Sequence, residues 1–416
     1  MLSIITTFTF FFFKWTLAAS PYTLFDAFHQ VTIERQGEQC EIAYGNVPPW
    51  LNGYFLRQVS GSVGKLDDPV PQRIENLKDA IGMGVSYKFE QGSCSFSSRY
   101  YRSLPFQVWN RNGKSLSNVG TSFWTLYSKT SSGADSNINR FRKYTPYSPN
   151  HVFWKLGSEI AAVSDGFYST RVDPATMDNN GENFPFTDSG NSFGLDGLMF
   201  NNAGHATDDS TGTKWSAVYN ANPGTGKTRL IIYQIVPTGN SAKRQIFAVK
   251  EFPQFTLNQC SSQTDTPVDK LIQFRDIEPL PGYIHDIAVT DNYVVLPVSS
   301  MLADYCFLFV YKYWPQYLYE PQHSFWFKWR PDKYSTVLLM NKASKRFYEV
   351  RIQPLFISHI VNAFEDPVTG TVVLDVLTSN DGTYMANCWS MASILNNNVK
   401  NSCFFSFHLQ LTIACS

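Results

Sequence analysis

Arg229-Leu-Ile-Ile-Tyr-Gln-Ile-Val236, Tyr293-Val-Val-Leu-Pro-Val298, Cys306-Phe-Leu-Phe-Val-Tyr311 and Thr371-Val-Val-Leu-Asp-Val-Leu377 decide the fold class. Each run is short, rich in β-branched or aromatic residues, and bounded by turn formers, so each reads as a strand rather than a helix. Asp209-Ser-Thr-Gly212, Asn222-Pro-Gly224 and Asp366-Pro-Val-Thr-Gly370 supply the punctuation. This pattern holds from Gly45 onward, and long helical periodicity is nearly absent. Many short strands in one chain point to an all-β sandwich, barrel or propeller. A length of 416 residues with no linker-like break favours the propeller, in which each blade is a four-stranded sheet. Thr130 to Asn139, rich in Ser, Gly and Asn, reads as an exposed loop, and no sharp repeat gives the blade count.

Composition narrows the function. Charged residues make up 16% of the chain, against about 25% for a typical soluble domain. Aromatics make up another 16%, enough apolar surface to exclude disorder. Lys+Arg and Asp+Glu are both 34, so the basic excess of a nucleic-acid binder is missing. Low charge and many aromatics suit a protein that handles something apolar. Seven scattered cysteines without a CxxC pair argue against a thiolate zinc site and are expected to be buried free thiols.

The ends differ from the middle. Leu2 to Phe13 form an apolar run of signal-peptide length, followed by Ala18, Ala19 and Ser20. Residues 1–20 are therefore expected to be a signal peptide or apolar leader to the secretory pathway or ER. The alternative is a cytoplasmic protein associated peripherally with membrane. Residues 21–395 form the expected propeller, and 396–416 a divergent tail. Gly224-Thr-Gly-Lys-Thr228 looks like the end of a phosphate-binding loop, but Ala221 stands where its first Gly belongs. A strand follows instead of the helix that would face the phosphate, so the segment reads as a hairpin loop.

Three of the seven histidines have informative settings. His205 lies in Gly204-His-Ala-Thr-Asp-Asp-Ser-Thr-Gly212, His285 in Pro281-Gly-Tyr-Ile-His-Asp-Ile-Ala-Val-Thr290, and His359 in Phe356-Ile-Ser-His-Ile-Val-Asn-Ala-Phe-Glu-Asp366. Their separations are 80 and 74 residues. At roughly 40–50 residues per blade, such gaps put them on different blades, whose inner strands converge on one axis. Imidazole suits iron, copper, zinc or nickel, and neutral ligands leave the ion its full charge.

These three segments, in this order, resemble the carotenoid cleavage oxygenase family, which includes β-carotene-cleaving enzymes and the retinoid isomerase. Gly45-Asn-Val-Pro-Pro-Trp-Leu-Asn-Gly-Tyr-Phe-Leu-Arg57 resembles its N-terminal signature. Asp79-Ala-Ile-Gly-Met-Gly-Val-Ser-Tyr-Lys-Phe89 with Ser97-Ser-Arg-Tyr100, and Val163-Ser-Asp-Gly-Phe-Tyr-Ser-Thr-Arg-Val-Asp-Pro174, resemble later segments. The likeness runs from about Gly45 to about Ser379. It implies a seven-bladed propeller with Fe(II) on its axis, held by four histidines, three of them oriented by glutamates. It also implies O2-dependent cleavage of a carotenoid or retinoid polyene to aldehydes or ketones. An aromatic tunnel and an apolar patch touching a membrane leaflet come with it. Carried over, His205, His285 and His359 are the expected iron ligands and Asp165 the expected orienting carboxylate.

The chain departs from the family in places. Asp165 stands where the family has Glu, Ala206 where Pro is usual, and Arg57-Gln-Val-Ser-Gly61 where a Gly/Pro-rich turn is usual. The family's fourth histidine and two of its glutamates lie beyond Ser416, so the propeller is expected to be incomplete in its C-terminal blades. His408 has a setting similar to the fourth ligand's, but follows His359 by only 49 residues and is read as coincidence. Two functions follow: an Fe(II)-dependent oxygenase of carotenoids or apocarotenoids, and a non-catalytic carotenoid or retinoid binder.

Overall fold

A computed structural model describes residues 4–5, 33–64, 77, 80–111, 113, 151–165, 169–182, 184, 186–188, 198–201, 204–208, 212–222, 227–239, 241–253, 282–303, 327–380, 382 and 407–414. Apart from the helix Leu104–Arg111, the regular elements among them are strands. The chain divides into two compact units. One comprises His29–Thr187 and Val236–Lys243, the other Met1–Phe28, Asp188–Ile235 and Arg244–Ser416.

The unit of His29–Thr187 contains a four-stranded antiparallel sheet in the order Arg35–Gln39, Ser93–Tyr100, Ile81–Glu90, Gly53–Ser62. A three-stranded meander, Val152–Leu156, Glu159–Val163, Ser169–Val172, follows it along the chain. The helix Leu104–Arg111 buries Trp109 against Tyr100 and Phe106, at 5.1 and 5.8 Å between ring centroids. Arg57 to Gly61, where the family usually has a Gly/Pro-rich turn, lie inside the strand Gly53–Ser62. One expectation is corrected here. Cys40 and Cys94 are not free thiols but form a disulfide, with Cα atoms 5.3 Å apart. The physical reason is strand pairing: Gln39 sits opposite Ser95, and the Cys40 N–H donates to the Cys94 carbonyl. Fifty-four residues of sequence separation hid a distance the sheet closes.

The other unit holds the three histidine segments. One sheet runs Leu198–Asn201, Thr213–Asn222, Lys227–Thr238, Ser241–Pro253, with Ala206–Asp208 also pairing Thr213–Asn222. Leu230, Ile231, Ile232 and Tyr233 are all buried in sequence, the mark of a strand covered on both faces. The expected hairpin is present, with Asn222 opposite Lys227, although residues 223–226 lie outside the described residues. A second sheet runs Ala288–Val289, Tyr293–Val298, Ser335–Asn341, Phe347–Ile352. The third runs Phe356–Glu365, Thr371–Ser379, Phe407–Ala414, with Ile4–Ile5 pairing the last strand at Thr412 and Ile413. The rest of the expected 1–20 leader, and the expected strand Cys306 to Tyr311, lie outside the described residues.

The second and third sheets share one core. Val295, Val337, Leu339 and Val350 pack with Ile357, Val372, Leu374, Leu409 and Leu411, all below one-tenth exposed. Burying a single such aliphatic side chain contributes roughly 1.5–3 kcal/mol, so this contact holds the sheets face to face. Glu365 fastens their edges, accepting from Thr290 Oγ1 at 2.5 Å and from the Asn292 N–H at 2.6 Å. Successive antiparallel sheets laid out in sequence order are the arrangement that propeller blades require. Among the described residues no helix is long and apolar enough to cross a membrane.

Candidate metal centre

The short strand Ala288–Val289 touches both Ala206–Asp208 and Phe356–Glu365. Three segments far apart in sequence are thereby laid side by side. His205 immediately precedes the first strand, His285 lies three residues before the second, and His359 is within the third.

Hydrogen bonds to backbone groups join the segments. The Gly204 N–H donates to the His285 carbonyl at 3.2 Å. Asp286 Oδ2 accepts from the Ile360 N–H at 3.2 Å, while its Oδ1 accepts from the Ile287 N–H at 3.0 Å. Gly204 must be glycine for this packing, because a Cβ there would lie 2.2 Å from Asp286 Oδ1 and 3.1 Å from its Cα. One carboxylate thus sits against the chain on either side of it.

Two imidazoles meet. The His285 and His359 rings lie 5.0 Å apart between centroids, with planes at 75°. Two imidazoles bound at 90–110° to one ion, with N–metal distances of about 2.0–2.1 Å, would stand roughly 4.5–5.2 Å apart. The pair therefore meets the spacing a shared ion needs. His285 Nδ1 is 2.9 Å from the Tyr283 hydroxyl. In many metal-bound histidines a partner at one ring nitrogen orients the other toward the metal. Burial, and secondarily the Lys214 ammonium, lower the His205 pKa to about 4. That keeps the imidazole neutral at physiological pH, the form that binds metal. Still, no three His, Cys, Asp or Glu side chains among the described residues converge into a metal-sized group. The fit to an ion is that of a pair with a third imidazole segment bonded beside it.

Two further residues were singled out, Asp165 and His408. Asp165 belongs to the unit of His29–Thr187, where it is 2% exposed and its Oδ2 stands 3.9 Å from His151 Nε2. His408 is in the strand Phe407–Ala414, opposite Leu377, which on its other side is opposite His359. That places it two strands from His359, about 9–10 Å along the sheet. Tyr283, Asp286 and Gly204 went unassigned from sequence alone. The only signal was their place beside His285 and His205.

The family model described as retinal pigment epithelial membrane protein matches residues 28–412. Carotenoid isomerooxygenase of Galleria mellonella is 24% identical over 347 residues, 81% of this chain and 58% of the relative. Human β,β-carotene 15,15'-dioxygenase is 22% identical over 362 residues, 82% of this chain and again 58% of the relative. The chain thus spans under two thirds of the length of both. Cobalt-substituted Synechocystis apocarotenoid oxygenase superposes with a TM-score of 0.59 at 17% identity, covering 85% of this chain and 62% of that one. A chimera of that oxygenase with RPE65 gives 0.57 at 18%, covering 84% and 62%. This likeness shows a propeller fold of the carotenoid oxygenase type. The histidine segments, their converging strands and the match across 28–412 lead to one conclusion: the chain belongs to the carotenoid cleavage oxygenase family.

Proposed function

We propose that this protein is a non-haem Fe(II)-dependent oxygenase on a seven-bladed propeller, cleaving one double bond of a carotenoid or apocarotenoid. One C=C bond breaks, O2 is consumed, and each former alkene carbon gains one oxygen, giving two carbonyl products, retinal-type aldehydes among them. The observation that carries the reading is the His285–His359 pair, 5.0 Å apart, on segments bonded to each other and to that of His205.

His205, His285 and His359 are the residues that would hold the ion. Fe(II) there would supply the binding and activation of O2. The chain's own contribution is positional. Neutral imidazoles leave the ion's charge undiminished, and Asp286 keeps two of the three segments at fixed spacing. The low charge and 16% aromatic content suit an apolar polyene. Peripheral membrane contact, through which such a substrate would arrive, is supported by Tyr44 and Trp50, 98% and 79% exposed. An oxidising compartment, reached through the apolar N-terminal run, is supported by the Cys40–Cys94 disulfide.

The test is incubation of iron-loaded protein with β-carotene and shorter apocarotenals under 18O2. The expected result is aldehyde product carrying the label, abolished in His285→Ala. Unlabelled substrate recovered in full from every incubation overturns the oxygenase reading. The second reading, a carotenoid or retinoid binder without chemistry, is favoured by the missing three-residue metal group among the described residues. Pigment that co-purifies unchanged from iron-free protein would select it.

A further inference from the structure

We propose that the Tyr283 phenol is the positioning group for His285, accepting the Nδ1 proton so that Nε2 is presented toward His359. The orientation toward a metal rests on the reading above, whereas the tautomer does not.

Three observations carry it. The hydroxyl lies 2.9 Å from His285 Nδ1, within hydrogen-bond distance. Tyr283 cannot easily move, being 3% exposed, with its N–H on the Met301 carbonyl at 2.7 Å and its own carbonyl accepting from Ser299 at 3.0 Å. Its ring also stacks on Phe356, planes at 9° and centroids 6.0 Å apart. Phe356 opens the strand that carries His359. Tyr283 therefore reads the position of one histidine's strand and sets the ring of the other.

The chemistry favours acceptance. A neutral imidazole has one N–H, and a proton on Nε2 would remove that nitrogen as a ligand. A phenol oxygen can accept from Nδ1, as a carboxylate does for many metal-bound histidines. Unlike a carboxylate, it adds no negative charge beside the centre, so a bound ion keeps more of its electrophilicity. The family resemblance implies glutamates in this role for three histidines. A phenol at His285 is a different solution to the same geometric need.

The test uses the full chain with 15N-labelled histidine, first metal-free and then titrated with Co(II). His285 is identified as the resonance pair lost in His285→Ala. The metal-free wild type is expected to hold His285 as the Nδ1–H tautomer, and Tyr283→Phe to lose that preference. Co(II) affinity is expected to fall about 10- to 100-fold in Tyr283→Phe, with the melting temperature unchanged. An Nε2–H tautomer in the wild type overturns the proposal without recourse to any variant. So does equal Co(II) affinity in the wild type and Tyr283→Phe. An Nδ1–H tautomer that depends on Tyr283, in a wild type that binds no Co(II), supports the phenol's role on the ring and overturns the metal-centre reading instead.

Discussion

Asp286 hydrogen-bonds to Ile360: the carboxylate following His285 accepts the backbone N–H of the residue following His359, at 3.2 Å. The bond crosses 74 residues of sequence and joins the candidate ligands through their immediate neighbours rather than through their rings. The spacing of the two histidine segments is thereby tied to a side-chain-to-backbone bond.

Replacing this carboxylate should loosen the pair. Asp286→Ala strips the part-buried Ile360 N–H of its acceptor, at a cost of up to about 1–3 kcal/mol, the range for a fully buried orphaned donor. Urea unfolding measures that loss. The same variant should bind Co(II) more weakly than Asp286→Asn, whose side chain keeps an oxygen acceptor. Equal affinities for the two variants would contradict the brace.

Gly204 should tolerate nothing larger. Its Cα faces Asp286, and an added methyl meets the carboxylate oxygen at 2.2 Å and the Asp286 Cα at 3.1 Å. Backbone must shift to admit it, so Gly204→Ala should destabilise by roughly 1–3 kcal/mol, as overpacking does. By contrast Gly212→Ala meets no atom within 4 Å, and its only cost comes from its left-handed backbone, φ +68°. Thermal melting of the two variants checks the ranking.

His205 gives the metal-free protein a pH signature. Its folded pKa, lowered to about 4 by burial and then by Lys214, lies below the ordinary 6.5. Between those values the unfolded chain binds more protons than the folded one. This group's contribution to stability is therefore fully present above pH 6.5 and is lost as pH falls toward 4. The loss is about 3 kcal/mol at most. Urea unfolding of chelated protein across that window should show the slope, and His205→Gln should flatten it. A variant with the wild-type slope would mean that His205 is not the group responsible.

Reduction should weaken the unit of His29–Thr187. The Cys40–Cys94 bridge closes 54 residues, which in the chain-entropy account corresponds to about 4 kcal/mol. Cys40→Ser should melt earlier than wild type under oxidising conditions and match it under dithiothreitol. Peptide mapping without reduction should recover the two cysteines as one linked fragment.

The β character of the chain was legible because strand runs such as Tyr293–Val298 and Thr371–Ser379 carry their own local signal. The histidine segments were legible because His205 and His285 shortly precede strands and His359 lies within one, each in a recognisable segment. What held them was not. Asp286 and Gly204 make contacts to residues tens of positions away, which no local pattern reports. The disulfide was missed for the same reason, since only the pairing of Gln39 with Ser95 brings Cys40 to Cys94. His151, whose Nε2 stands 3.9 Å from Asp165 Oδ2, was singled out by no motif.

The most direct test of the centre is X-ray absorption on the full chain loaded with one equivalent of Co(II). The expected spectrum shows imidazole scattering from at least two histidines at about 2.0–2.1 Å, reduced in both His285→Ala and His359→Ala. A spectrum of water oxygens alone, or one unchanged by those two substitutions, would contradict a metal centre on these strands.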